Sequence, residues 1–416
     1  MSSSPTASHA ALPEMSATAR VGDASRWIII IAAIVIVGFG VGALFSLAVF
    51  LRPMQESMAW SRAAISAVAL WMWVAYGTGS LMWGMLSDRW GARRVVIAGG
   101  LLLGLGLVAS SRITSLWQLY VAFGGVVGVA AGAFYAPLTT TATRWFTANR
   151  GLAVALVSAG TGLGTFMVAP LTRWLISSYD WRLAMLILGD IVWLVIIPLG
   201  LLVRDAPGAA ASATDPDVPL AGIFRSPQFW LIAITHFTCC VAHSGPIFHM
   251  VTHAMDQGVP GMAAATLLGV SGLASLIGRV LSGLIADRWG SKPTLIAMLG
   301  LQAPAIFLYL FTNSIGGFYA LAILFGASYG GVMPMYALLT REYFGARAMG
   351  TAYGAIFMLQ AIGMGLGAYG GGWFHDHFGT YAWLFGSATA VAALAILFAL
   401  PLRPSRRSIV LTPAAA

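Results

Sequence analysis

The chain has 416 residues, of which 59% are hydrophobic and only 8% charged, with a formal net charge of +9. A soluble domain carries about a quarter charged residues, so this chain cannot cover a water-facing surface and must be solvated by lipid. The positive balance does not indicate nucleic acid, because the basic residues punctuate the ends of apolar runs instead of clustering on a polar domain.

Residues 1–25 are rich in Ser, Ala and Thr and hold no positive segment leading into an apolar core. They read as a disordered cytoplasmic tail, not a cleaved signal peptide. Apolar runs of spanning length follow at Trp27–Leu51, Ala63–Leu86, Val95–Ser110, Trp117–Thr143, Gly151–Ser177 and Trp181–Val203. After a break they continue at Phe229–Met255, Met262–Ala286, Thr294–Thr312, Gly316–Thr340, Gly350–Phe374 and Tyr381–Leu402. About twenty apolar residues make one span, and a helix satisfies its own backbone in lipid. The break, "RDAPGAAASATDPDVPLAGIFRSPQ", has linker composition. The expected protein is therefore all-α and integral to the membrane. Its two six-helix bundles cover residues 26–204 and 229–403, with a cytoplasmic linker at 205–228 and a tail at 404–416. Cys239 and Cys240, adjacent inside an apolar run, read as small core residues and not as a disulfide framework.

Orientation follows from the 22 Lys and Arg residues. With both termini in the cytoplasm, all but Arg52, Arg62, Arg112, Arg173, Arg182 and Arg279 fall in cytoplasmic segments, the distribution that sets topology. The chain also repeats itself. "GMLSDRWGARR" (Gly84–Arg94) returns as "GLIADRWGSKP" (Gly283–Pro293), matching Gly84 with Gly283, Asp88 with Asp287, Arg89 with Arg288, Gly91 with Gly290 and Arg93 with Lys292. Pro137 precedes Thr143-Arg144 as Pro334 precedes Thr340-Arg341. A membrane unit present twice, with a site between the copies, is a transporter architecture.

The first loop resembles the G-x-L-x-D-R-x-G-x-R motif of the major facilitator superfamily, through Gly84, Leu86, Asp88, Arg89, Gly91 and Arg93. The resemblance implies the major facilitator fold of twelve transmembrane helices in two pseudo-symmetric bundles. It also implies a conformational role for the loops, with Asp88 against the eleventh span near Arg347 and Asp287 against the fifth near Arg150. A carboxylate is favoured at a helix N-terminus, and the motif glycines would permit close helix approach. A narrower resemblance, in "RWFTANRGLAVALVSAG" (Arg144–Gly160), is to the monocarboxylate transporter and oxalate/formate antiporter branch. Trp145-Phe146, Arg150, Leu152-Ala153 and Ala159-Gly160 fill its fifth-span pattern, while Asn149 replaces a usual basic residue. "AWSRA" (Ala59–Ala63) is similar to the bacterial members.

Arg279 lies inside the eighth span, where a charge is expensive and marks a cavity or pathway. Ser271, Ser275 and Arg279 recur every four residues and share a helical face. A guanidinium fork fits a carboxylate. The resemblance implies the same role, since the substrate arginine of these carriers stands four residues before the motif glycine, here Gly283. Ser275 stands where proton-coupled animal members carry an aspartate, and the chain's sole lysine, Lys292, is in a loop; one intramembrane cation favours a monoanion.

Candidates for proton coupling are Asp190, the acid deep in the sixth span, and His243 and His249 among four histidines (with His236 and His253) of the seventh. Gly245-Pro246 is expected to interrupt that helix. Tyr135, Tyr329, Tyr336 and Gln360 are candidate cavity residues. The glycine-rich stretches at Gly160–Pro170 and Gly363–Gly372 read as close helix contacts. No metal cluster, cofactor site or nucleophile–base set stands out, so an enzyme is not expected. The expected function is secondary transport of a small organic anion, a monocarboxylate, through the cytoplasmic membrane by a monomer, with protons or a counter-anion. An efflux carrier for an amphipathic compound is the alternative, and a non-transporting receptor a more distant one.

Overall fold

In the computed structural model the described residues are 15–146, 150–204 and 220–402. Among them twelve helices are long and apolar enough to cross a membrane. In the first half they are α1 (Arg26–Met58), α2 (Arg62–Ser87), α3 (Ala92–Ser111), α4 (Leu116–Ala142), α5 (Ala153–Ser178) and α6 (Trp181–Leu202). In the second they are α7 (Pro227–Asp256), α8 (Gly261–Trp289), α9 (Ser291–Leu308), α10 (Ile315–Phe344), α11 (Ala352–Phe378) and α12 (Ala382–Ala399). The inter-bundle linker and both terminal tails fall largely or wholly outside the described residues. Helical structure already begins at Met15, however, so part of the stretch expected to be disordered is helix.

Caps fix several starts. The Ser61 hydroxyl accepts from the Ala64 N–H at 3.1 Å, Asp180 from Leu183 at 2.7 Å and Ser314 from Gly317 at 3.2 Å. The internal repeat is visible in the backbone. Gly91 and Gly290 end α2 and α8 with φ/ψ of 80°/154° and 89°/159°, a conformation that favours glycine. Their N–H groups close the preceding helices onto Ser87 and Ala286 at 3.0 and 2.8 Å.

Two expectations about helix breaks are corrected. α7 runs unbroken through Pro246. The irregular span is α4, which contains a π-helical stretch at Tyr120–Val127 and a turn at 132–134. Pro137 crowds the carbonyl four residues back, that of Ala133, inside this turn. α2 meets the loosened backbone: the Trp83 indole donates to the Val129 carbonyl at 2.9 Å and the Ser80 hydroxyl to that of Gly132 at 3.4 Å. Between α10 and α11 the helical pattern continues from Ile315 to Phe378 where a loop was expected.

The halves meet along α5 with α8 and α2 with α11, where glycines bring backbones together as expected. A Cβ on Gly162 would lie 2.5 Å from the Gly272 carbonyl oxygen, and one on Gly372 2.5 Å from the Ser66 hydroxyl. Gly84 and Gly283 are a correction: a Cβ on either would meet nothing within 4 Å, so in this conformation neither motif glycine packs on a neighbouring helix.

Candidate functional site

Arg279 sits on α8 at the seam. Its Nη1 donates to the Ser158 hydroxyl of α5 at 2.7 Å, so the guanidinium bridges the two halves. Its Nε is shielded from solvent and has no hydrogen-bond partner among the described residues. The shared face of Ser271, Ser275 and Arg279 exists, but both serines are buried against α10. Cβ atoms on Gly326 and Gly330 would come within 2.3 Å of their carbonyl oxygens.

Beside the arginine stand aromatic side chains of the second half, and through Tyr353 they reach those of the first. Tyr353 of α11 lies within electrostatic reach of Arg279, Tyr135 of α4, Tyr76 of α2 and Cys240 of α7. Phe357 links Tyr76 and Tyr353 at centroid distances of 5.9 and 6.4 Å. Tyr329 of α10 is close to Ser275 and Arg279 and stacks on His243 at 5.5 Å. Gln360 is buried beside Cys240. Tyr336 is instead enclosed in the second half, stacked on His236 at 3.8 Å, with its hydroxyl 3.4 Å from the Thr235 carbonyl.

Of the coupling candidates, His243 is buried with Nδ1 3.7 Å from the Cys239 sulfur. His249 bonds through Nε2 to the Ala368 carbonyl at 2.8 Å, so that nitrogen carries the hydrogen. Its Nδ1 faces the Tyr381 hydroxyl at 3.2 Å. Asp190 is not brought to this site. It is exposed on the face of α6 that carries Leu183 and Leu194, in a helix that packs only within the first half. Cys239 and Cys240 are buried and free.

The loop-motif residues lie at one end of the molecule. Arg89, Arg93, Asp287 and Arg288 are exposed, and the Lys292 ammonium donates to the Leu400 carbonyl at 2.7 Å. The side chains of Asp88, Arg150 and Arg347 lie outside the described residues.

The opposite end holds a polar network that sequence reasoning missed. Arg62, at the start of α2, is 6% exposed. Its Nη1 and Nη2 donate to the two Asp256 carboxylate oxygens at 2.6 and 3.1 Å, Nη1 also to the Tyr381 hydroxyl at 3.0 Å, and Nε to Gln55 at 2.7 Å. Asp376, at the end of α11, accepts from the N–H groups of Arg62 and Ala63 at 3.2 and 2.6 Å. A carboxylate of the second half thereby caps a helix of the first. His375 stands 3.8 Å from both acids. Burial pushes the Tyr381 phenol up to about 12 against the opposing pull of Arg62, so it keeps its proton. These partners are distant in sequence, which is why no motif announces them. Tyr76 and Tyr353 had no distinguishing signal, since the triplet Ala-Tyr-Gly that holds each of them also occurs at Ala368–Gly370.

Comparison with known proteins agrees with this architecture. Residues 30–368 match the Major Facilitator Superfamily. Monocarboxylate transporter 11 of Mus musculus is 31% identical over 86% of this chain and 82% of its own length. Monocarboxylate transporter 13 of Bos taurus is 28% identical over 90% and 89%. A crystal structure of a bacterial homolog of the human lysosomal transporter Spinster, inward-facing and unoccupied, superposes with a TM-score of 0.74 at 16% identity. It covers 94% of this chain and 99% of the other. With twelve spans in two repeated halves and a match over most of its length, the chain belongs to the Major Facilitator Superfamily and is a multi-pass membrane transporter.

Proposed function

We propose that this protein carries a small organic monoanion, a monocarboxylate, across the cytoplasmic membrane by alternating access, with the loop motifs and both termini in the cytoplasm. The observation that carries the reading is Arg279, a guanidinium at the seam whose one hydrogen bond among the described residues is to a serine hydroxyl of the opposite half. That leaves donors for a carboxylate, with Tyr76, Tyr135, Tyr353 and Phe357 as walls for a short carbon chain. The names of the relatives support the substrate class.

In this scheme the conformation is closed at the outer end by Arg62, Asp256 and Asp376 and open at the loop-motif end. Closing the seam over a bare cation is costly, and a bound carboxylate removes that cost. As the halves rock, the outer network parts, and Asp88 and Asp287 take up their contacts with the opposite helices. Proton symport or exchange against a second anion drives accumulation. His243 and His249, close to the seam and to the outer network respectively, are the groups whose neutral and charged forms would alternate.

The test is uptake of labelled lactate into proteoliposomes, wild type beside Arg279→Gln, with and without an inward proton gradient. Uptake that responds to the gradient and disappears in the variant is the expected result. Transport of an amphipathic compound that survives Arg279→Gln, with no lactate uptake by folded wild type, would replace this reading with an efflux carrier.

A further inference from the structure

Arginines crowd the end that Arg62 closes, and most are accounted for. Arg62 is held by Gln55, Asp256 and Tyr381. Arg52 pairs with Glu56 at 2.7 Å and lies 3.7 Å from Asp256. Arg182 donates to the carbonyls of Ser111 and Ile113 and covers the Trp181 ring at 4.4 Å. Arg112 is exposed to solvent. Arg173 of α5 differs. It is half-buried, its Nε is shielded from solvent, and its side chain meets no acceptor among the described residues.

Its surroundings deepen the mismatch. The guanidinium reaches across the seam onto Gly261, the first residue of α8, where a Cβ would come within 2.5 Å of Nη2 and 2.6 Å of Cζ. That helix of 29 residues has no acid in its first turn, so a cation is pressed against the positive end of a helix dipole. The nearby acids, Glu56 and Asp256, already neutralise Arg52 and Arg62. Arg173 and Arg52 both line an open cavity of about 310 Å³, walled also by Pro53 and Glu56 of the first half and Met255 and Gly258 of the second. The arrangement is short of one negative charge.

We propose that this cavity is a second, peripheral anion site, distinct from Arg279 and independent of the substrate reading, in which Arg173, assisted by Arg52, binds a small carboxylate. The planar fork of a guanidinium matches the two oxygens of such a group. Because the walls come from both halves, the site is complete only while this end is closed. A ligand favours the state it binds better, so a carboxylate on this face holds the end shut and restrains opening where that anion is already abundant.

Spin labels at Ser178→Cys and Asn313→Cys, exposed at this end in opposite halves, report its closure by pulsed electron resonance once Cys239 and Cys240 are replaced by serine. In phosphatidylcholine nanodiscs, exchanging chloride for acetate at constant ionic strength should raise the closed-to-open ratio about fivefold. Arg173→Gln should abolish the response and Arg279→Gln should keep it. Arg173→Lys, which retains the charge but not the fork, should weaken it, and this variant serves if the Gln form does not fold. No response in the wild type, or one that survives Arg173→Gln, would overturn the assignment. Loss in Arg279→Gln would also overturn it, by moving the effect to the central site. Closure in phosphatidylglycerol discs that no longer depends on acetate would identify a lipid phosphate as the occupant and overturn the soluble carboxylate.

Discussion

The two ends of the bundle are built from similar chemistry and are in opposite conditions. At one end Arg62, Asp256, Asp376 and Tyr381 knit the halves through short polar contacts. At the other, the twice-repeated loop exposes Arg89, Arg93, Asp287 and Arg288, and Gly84 and Gly283 face open space. Carboxylates placed near helix ends occur at both. What differs is engagement, and Asp376 shows how it is achieved: its carboxylate reaches the first N–H groups of a helix in the opposite half. The lesson is that pseudo-symmetric halves do not need symmetric contacts. Under the proposed alternating access, one end is bonded while the other is released.

That contrast can be broken or sharpened by substitution. The largest effect is expected at the seam between the ends, where Arg279→Gln should lower uptake efficiency by about a hundredfold, as removal of a charged hydrogen-bonding partner does, measured as kcat/KM in proteoliposomes. Arg62→Gln attacks the closed end directly. Losing one partner of a buried ion pair costs about 3–5 kcal/mol, but Asp256 is 27% exposed in its side chain. Solvent screening reduces that to about 1–2 kcal/mol. The population open at this end should therefore rise about tenfold, read by the distance between spin labels at Ser178→Cys and Asn313→Cys. Asp376→Asn keeps an acceptor at the α2 terminus while removing its charge, so the same assay should shift only about two- to fivefold. Asp190→Asn touches neither end and faces away from the seam; its transport rate should equal the wild type's, and a lost proton response there would restore the acid to the coupling scheme.

Much of the architecture was legible from periodic composition. Spanning helices announce themselves because lipid excludes charge and demands internally satisfied backbones, and the repeated Asp-Arg-Trp-Gly loop announces duplication. The place of Arg279 within a span was legible for the same reason, since a charge stands out in an apolar run. Ser271 and Ser275 were correctly put on its face, yet they pack onto α10 glycines, because a helical face is wide enough to serve two neighbours. The prolines were harder. Pro137 accompanies a turn in α4 while Pro246 leaves α7 continuous, so a proline in a span does not by itself fix where the helix breaks. Beside the turn in α4 the carbonyls of Val129 and Gly132 accept from Trp83 and Ser80 of α2.

The sequence by itself determined that this is a twelve-helix membrane protein in two related halves with a cation in one span, because each of those facts is written in local hydropathy, charge and repetition. Tertiary structure alone decided that Arg62 meets Asp256 and Asp376, that Tyr353 stands between Arg279 and the pair Tyr76 and Tyr135, and that Arg173 has no counter-charge among the described residues. Those outcomes depend on which helices become neighbours across the seam. Contacts between residues up to 319 positions apart leave no periodic trace in the chain that forms them.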